Sequence, residues 1–104
     1  MTTETEHLLC ILAEECSEVA VRASKSIRFG LSEVQPKQHL TNAERLRDEM
    51  IHVLTMWDVL VERGLVRAID PESTEFIEKS GRKIDAVRLF MQFSESLGTL
   101  ESSS

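Results

Sequence analysis

Tyrosine is absent from this chain, proline and cysteine occur twice each, and glycine occurs four times. Each scarcity excludes something. With so few helix breakers, nothing stands in the way of long helices. Runs of β-branched residues are scarce too, which argues against a sheet. No apolar run approaches the roughly 20 residues that span a bilayer. No signal-peptide pattern precedes the first helical segment, so the expectation is a cytosolic protein with no membrane partner. Cys10 and Cys16 lie six apart on one predicted helix. They cannot easily bridge each other and form no C-x-x-C motif, so reduced, buried thiols are expected. Basic residues are in deficit as well: 12 Lys and Arg face 18 Asp and Glu, for a net charge of −6. A surface of that sign repels a nucleic-acid backbone, so no nucleic-acid partner is expected. It still admits a small phosphorylated ligand if a metal and a few local cations offset the charge.

What the chain does have is a repeat. Residues 12–19 read LAEECSEV and residues 46–53 read LRDEMIHV, 34 positions later. Leu12 matches Leu46, Glu14 matches Asp48, Glu15 matches Glu49, Glu18 matches His52 and Val19 matches Val53. Positions i and i+3 on a helix share a side, one turn apart. Two such helices packed together would bring three Glu and a His to one place. Clustered acids repel unless protons or cations intervene, and a divalent cation is the usual partner.

The chain of 104 residues, 41% apolar and 29% charged, suits one soluble globular domain. We read residues 1–96 as that domain and 97–104 as a frayed tail. Three helices are predicted, giving an all-α fold. The first spans about Thr5 to Phe29 and stops at Gly30. A loop over 30–41 follows. Asn42 is the expected N-cap of a second helix over about 43–63, with Gly64 as its stop. The third is expected to begin at Pro71, capped by Asp70, and to run to about residue 96 with Gly81 as a weak point. Helical angles put Leu8, Leu12, Cys16, Val19, Ala23 and Ile27 on the core arc of the first helix, with Glu15 and Glu18 at its border. The second helix repeats that layout, with Leu46, Met50, Val53, Trp57, Leu60 and Val61 on the arc and Glu49 and His52 at the border. A lone E-x-x-E is normally a solvated face. Two copies, both beside the core stripe, put charge where it is costly unless used or paired.

The double motif resembles the MazG-like family of all-α nucleoside triphosphate pyrophosphohydrolases. That family's pattern is E-E-x-x-E, a spacer, then E-x-x-D on the next helix. Here it stands as Glu14-Glu15-x-x-Glu18 and Glu49-x-x-His52. The flanking ILAEECSEVAVRASKSIRFG and NAERLRDEM are similar to small phage and bacterial members, and the resemblance spans roughly residues 7–62. It implies a helical bundle completed by homo-oligomerisation, as a homodimer or homotetramer. It implies an Mg²⁺- or Mn²⁺-dependent hydrolase that converts a nucleoside triphosphate to monophosphate and pyrophosphate. A purine deoxynucleotide, dGTP or dATP, is the substrate that the phage members suggest. Carried over position by position, Glu15, Glu18 and Glu49 become metal ligands, and Glu14 a supporting partner, a further ligand or the base. The implied alternative is a catalytically impaired member that serves as an oligomeric nucleotide-binding or regulatory module.

His52 departs from the pattern, since the family has Asp there. Mg²⁺ prefers oxygen, whereas an imidazole suits Mn²⁺, Co²⁺ or Zn²⁺. Three roles are open: His52 ligates a softer metal, it donates a hydrogen bond while three Glu hold Mg²⁺, or its imidazolium takes a cation's place among the acids. Glu49-x-x-His52 is also an E-x-x-H, as in di-iron bundles, but such sites need two of these and two further Glu helices. Cations for the phosphates are available at Lys25 and Arg28, and at Lys79, Arg82 and Lys83 on one side of the third helix. Phe29 is a candidate for stacking on a base.

Overall fold

The computed structural model describes residues 2–101. It is all-helical: α1 spans Glu4–Phe29, α2 Asn42–Glu62 and α3 Thr74–Ser96, with no strand among the described residues. No helix among them is long and apolar enough to cross a membrane. The chain groups into two units, Met1–Ala68 with α1 and α2, and Ile69–Ser104 with α3.

The helix ends follow from local chemistry. Thr3 caps α1, its hydroxyl accepting from Glu6 N at 3.1 Å. The N-cap of α2 is Thr41, not Asn42. Thr41 Oγ1 accepts from Glu44 N, and Glu44 Oε1 accepts from Thr41 N at 2.9 Å, a reciprocal capping box. Those bonds from the Thr41 backbone and hydroxyl hold the Glu44 carboxyl below its ordinary value. The N-cap of α3 is Ser73, not Asp70; Asp70 instead accepts from Glu72 N at 2.9 Å in the turn before it. α2 and α3 stop alike. Gly64 (φ 71°) and Gly98 (φ 75°) take the left-handed conformation, and Leu65 N and Thr99 N reach back to Leu60 O and Ser94 O at 3.0 Å. Leu97–Thr99, which the sequence puts in the tail, thus form the stop of α3. Ser102–Ser104 lie outside the described residues. α3 continues unbroken through Gly81.

α1 and α2 form an antiparallel hairpin. Three cross-links fix the direction: Glu4 with Arg63, Glu15 with His52, and Gly30 with Asn42. Along α1 the more buried positions include 8, 12, 15, 19, 22 and 26, and along α2 42, 46, 49, 53, 56 and 60. Both series step by four and three, the spacing of a coiled-coil seam. One end of the seam is apolar, with Leu8, Leu12, Met56 and the fully buried Leu60. The middle and far end carry Glu15, Glu49, Arg22, Ser26 and Asn42. Asn42, 1% exposed, donates to Gly30 O at 2.8 Å and so ties the loop to the start of α2. Asn42 N and Ala43 N donate to Glu33 O and Leu31 O, both at 2.9 Å, which satisfies backbone donors that a helix start leaves free.

This placement corrects the core arc read from the sequence. Cys16 and Ile27 are exposed, and Glu15, Arg22 and Ser26 take the seam positions expected for them and for Ala23. The arc is wider than one partner helix can cover, and α2 takes the edge that contains Glu15. Both cysteines are accordingly exposed rather than buried. Trp57 is half-buried, its indole N–H donating to Arg67 O at 3.2 Å. One residue beyond each seam lies a second stripe: Leu9, Ala13, Cys16, Ala20 and Ile27 on α1, and Met50 and Leu54 on α2, all exposed.

Candidate metal centre

Three donors converge at the middle of the α1–α2 seam. Glu15, Glu49 and His52 each offer one ligand atom, all within 4.8 Å of one another. His52 Nδ1 stands 3.4 Å from Glu15 Oε2 and 3.3 Å from Glu49 Oε2. Glu15 arrives from α1 at a seam position, and Glu49 and His52 from one turn of α2. The two carboxylates are 27% and 22% exposed and the imidazole 55%. The group is therefore open to water on the His52 side and walled by the hairpin on the other.

The donor set fits a small divalent ion. Ligands across an ion with bonds of about 2.1 Å stand about 4.2 Å apart, so small side-chain motions close the three atoms around one centre. Two carboxylate oxygens suit Mg²⁺ or Mn²⁺, and the imidazole tilts the set toward Mn²⁺. The seam position adds weight. An apolar side chain buried at residue 15 or 49 would contribute about 1.5–3 kcal/mol. Two like charges there work against the hairpin instead.

The other residues singled out in the sequence lie as follows. Glu18 is exposed on α1, one turn beyond Glu15, and is not in the converging group. Glu14 is exposed and accepts a weak bond from the Cys10 thiol at 3.8 Å. Lys25 is half-buried near the end of α1, and Arg28 is exposed with its guanidinium 5.0 Å over the ring of the exposed Phe29. In the second unit, Lys79 is paired with Glu75 at 2.9 Å, while Arg82 and Lys83 are exposed.

Sequence reasoning passed over several residues here. Arg22 occupies the seam, and its Nη1 is buried without a hydrogen-bond partner among the described residues. Its spacing of seven from Glu15 was the available signal. An open cleft of about 290 Å³ adjoins the donors, and Glu49 and His52 form one of its walls. Asp48, the counterpart of Glu14 in the repeat, also lines it. The loop residues that complete it carry no periodic signal. Compared with protein-family models, with curated proteins and with solved structures, the chain matches none.

Proposed function

We propose that the chain is a metal-dependent nucleoside triphosphate pyrophosphohydrolase, which releases pyrophosphate and a nucleoside monophosphate in a cytoplasmic setting. The observation that carries this reading is the convergence of Glu15, Glu49 and His52 from the two copies of one repeat onto the hairpin seam. Glu15 and Glu49 would hold Mg²⁺ or Mn²⁺, with His52 as third donor. The resemblance adds Glu18 as a further ligand, one turn along α1 from Glu15 and outside the converging group. Bound there, the ion offsets charge on triphosphate oxygens and lowers the pKa of a bound water. The chain's own groups do the rest. Lys25, Arg28 and the buried guanidinium of Arg22 lie along α1 beyond Glu15 and supply positive charge for an anionic substrate. Glu14 faces water and is the carboxylate left over to accept a proton.

The hairpin's second stripe supports assembly as a homodimer or homotetramer. Leu9, Ile27, Met50 and Leu54 are 40–85% exposed in a unit whose other stripe is already used. A second hairpin laid on that stripe completes a four-helix bundle.

One observation favours a second reading. His52 Nδ1 lies within 3.4 Å of both carboxylates, where an imidazolium would stand in for a cation. In that case the chain is an impaired relative that binds nucleotides without cutting them. Incubating a panel of nucleoside triphosphates with Mg²⁺ and separately with Mn²⁺, and measuring monophosphate and pyrophosphate, tests the proposal. Pyrophosphate release supports the enzyme. No turnover with any nucleotide or metal supports the impaired module.

A further inference from the structure

We propose that the cleft beside the metal centre is the nucleoside subsite, holding the base of the substrate between the 30–41 loop and the outer edge of α2. The proposal rests on the pyrophosphohydrolase reading above. Its volume, about 290 Å³, sits at the lower end of the range for small-molecule sites, about 300–1,000 Å³. That suits one part of a nucleotide rather than the whole. Its walls have the composition a base needs. Leu40 and Ile51 are apolar and about two-fifths exposed, at 39% and 42%, and offer apolar contact area. The Gln38 amide carries both a donor and an acceptor, which pairs with an adjacent donor and acceptor on the edge of a base. Asp48 supplies a further acceptor and Arg45 a further cation on the same cleft.

The loop side of the cleft is built rather than loose. Gln38 N donates to Gln35 O at 3.0 Å, closing a turn with Pro36 and Lys37 at its corners. Lys37 adopts φ 67°, a conformation that costs a residue with a side chain about 1–2 kcal/mol. Arg45 Nη1 donates to Gln35 Oε1 at 3.0 Å and so fastens this turn to α2. Strain of this kind collects where a loop must present a particular group, here Gln38. Connectivity agrees. In a nucleotide the base is one sugar away from the α-phosphate, so a base subsite must adjoin the group that grips the phosphates. Glu49 and His52 belong to both.

The test uses the full chain with metal removed by EDTA, so that phosphate–metal contacts play no part. Deoxyadenosine, deoxyguanosine, deoxycytidine and thymidine are titrated in turn while backbone amide resonances are followed. The expected result is saturable perturbation of Gln38, Leu40 and Ile51 by at least one of the four, with affinity reduced about tenfold (about 1.4 kcal/mol) in Gln38→Ala and in Ile51→Ala. Both side chains are exposed, and unchanged helical circular dichroism verifies their folding. No perturbation by any nucleoside at millimolar concentration overturns the subsite, as does equal binding by wild type and both variants. The two proposals fail separately. Pyrophosphate release with KM unchanged in both variants leaves the enzyme and removes the subsite. Nucleoside binding that both variants weaken, without pyrophosphate release from any triphosphate, keeps the subsite and removes the enzyme.

Discussion

Replacing Glu15 by Gln removes one negative charge from the seam while keeping the side chain's size. Its carboxylate lies within 4.8 Å of Glu49. At that separation two unit charges repel by about 3.5 kcal/mol at an effective dielectric of about 20 and about 0.9 at 80. With the two side chains 27% and 22% exposed, the pair sits between those limits, so Glu15→Gln should stabilise the metal-free protein by about 1–2 kcal/mol. A unit of this size gains about 4–8 °C in Tm per kcal/mol. Thermal unfolding in EDTA measures the gain, and a parallel set with Mn²⁺ measures the loss of ion-induced stabilisation. Salt near 1 M, where the Debye length is about 3 Å, should reduce the EDTA gain. A variant that is no more stable without metal, yet is stabilised by Mn²⁺ as much as wild type, would refute both the repulsion and the ligand role.

Sedimentation should show a dimer or larger species at micromolar concentration, because the second stripe has no partner within the hairpin; a well-folded monomer would refute the assembly. His52→Asp should move metal preference from Mn²⁺ toward Mg²⁺, since it exchanges an imidazole nitrogen for a carboxylate oxygen. Identical calorimetric profiles for the two proteins would put His52 outside the ligand set. Thr41→Ala should cost about 1 kcal/mol by opening the capping box, read from denaturant midpoints. Because the Glu44 carboxyl is held below its ordinary value, its share of stability is present above that value and lost as pH falls through the lowered one. Glu44→Gln should therefore flatten the acid limb of the stability profile, and an unchanged limb would count against the capping box.

The sequence alone determined the helices and where the first two stop. Few prolines, apolar residues at helical spacing and glycines at 30 and 64 act within a few residues of chain, so no partner is needed to read them. It also determined that two acidic segments are copies of each other. Neighbours in space decided the rest. Thr41 and Ser73 outcompete Asn42 and Asp70 as caps because Asn42 is drawn into the seam by Gly30 O and Asp70 is engaged in its own turn. Which edge of a broad apolar arc faces inward cannot be read from one helix. α2 covers the edge holding Glu15 and leaves Cys16 and Ile27 in water. That rotation carries Glu15 to Glu49 and His52 and leaves Glu18 on the rim, although helical angles treat Glu15 and Glu18 alike. The cleft is the least legible feature. Gln38 and Leu40 lie in a loop without periodicity, and only the folding of that loop back onto α2 gives their chemistry a place.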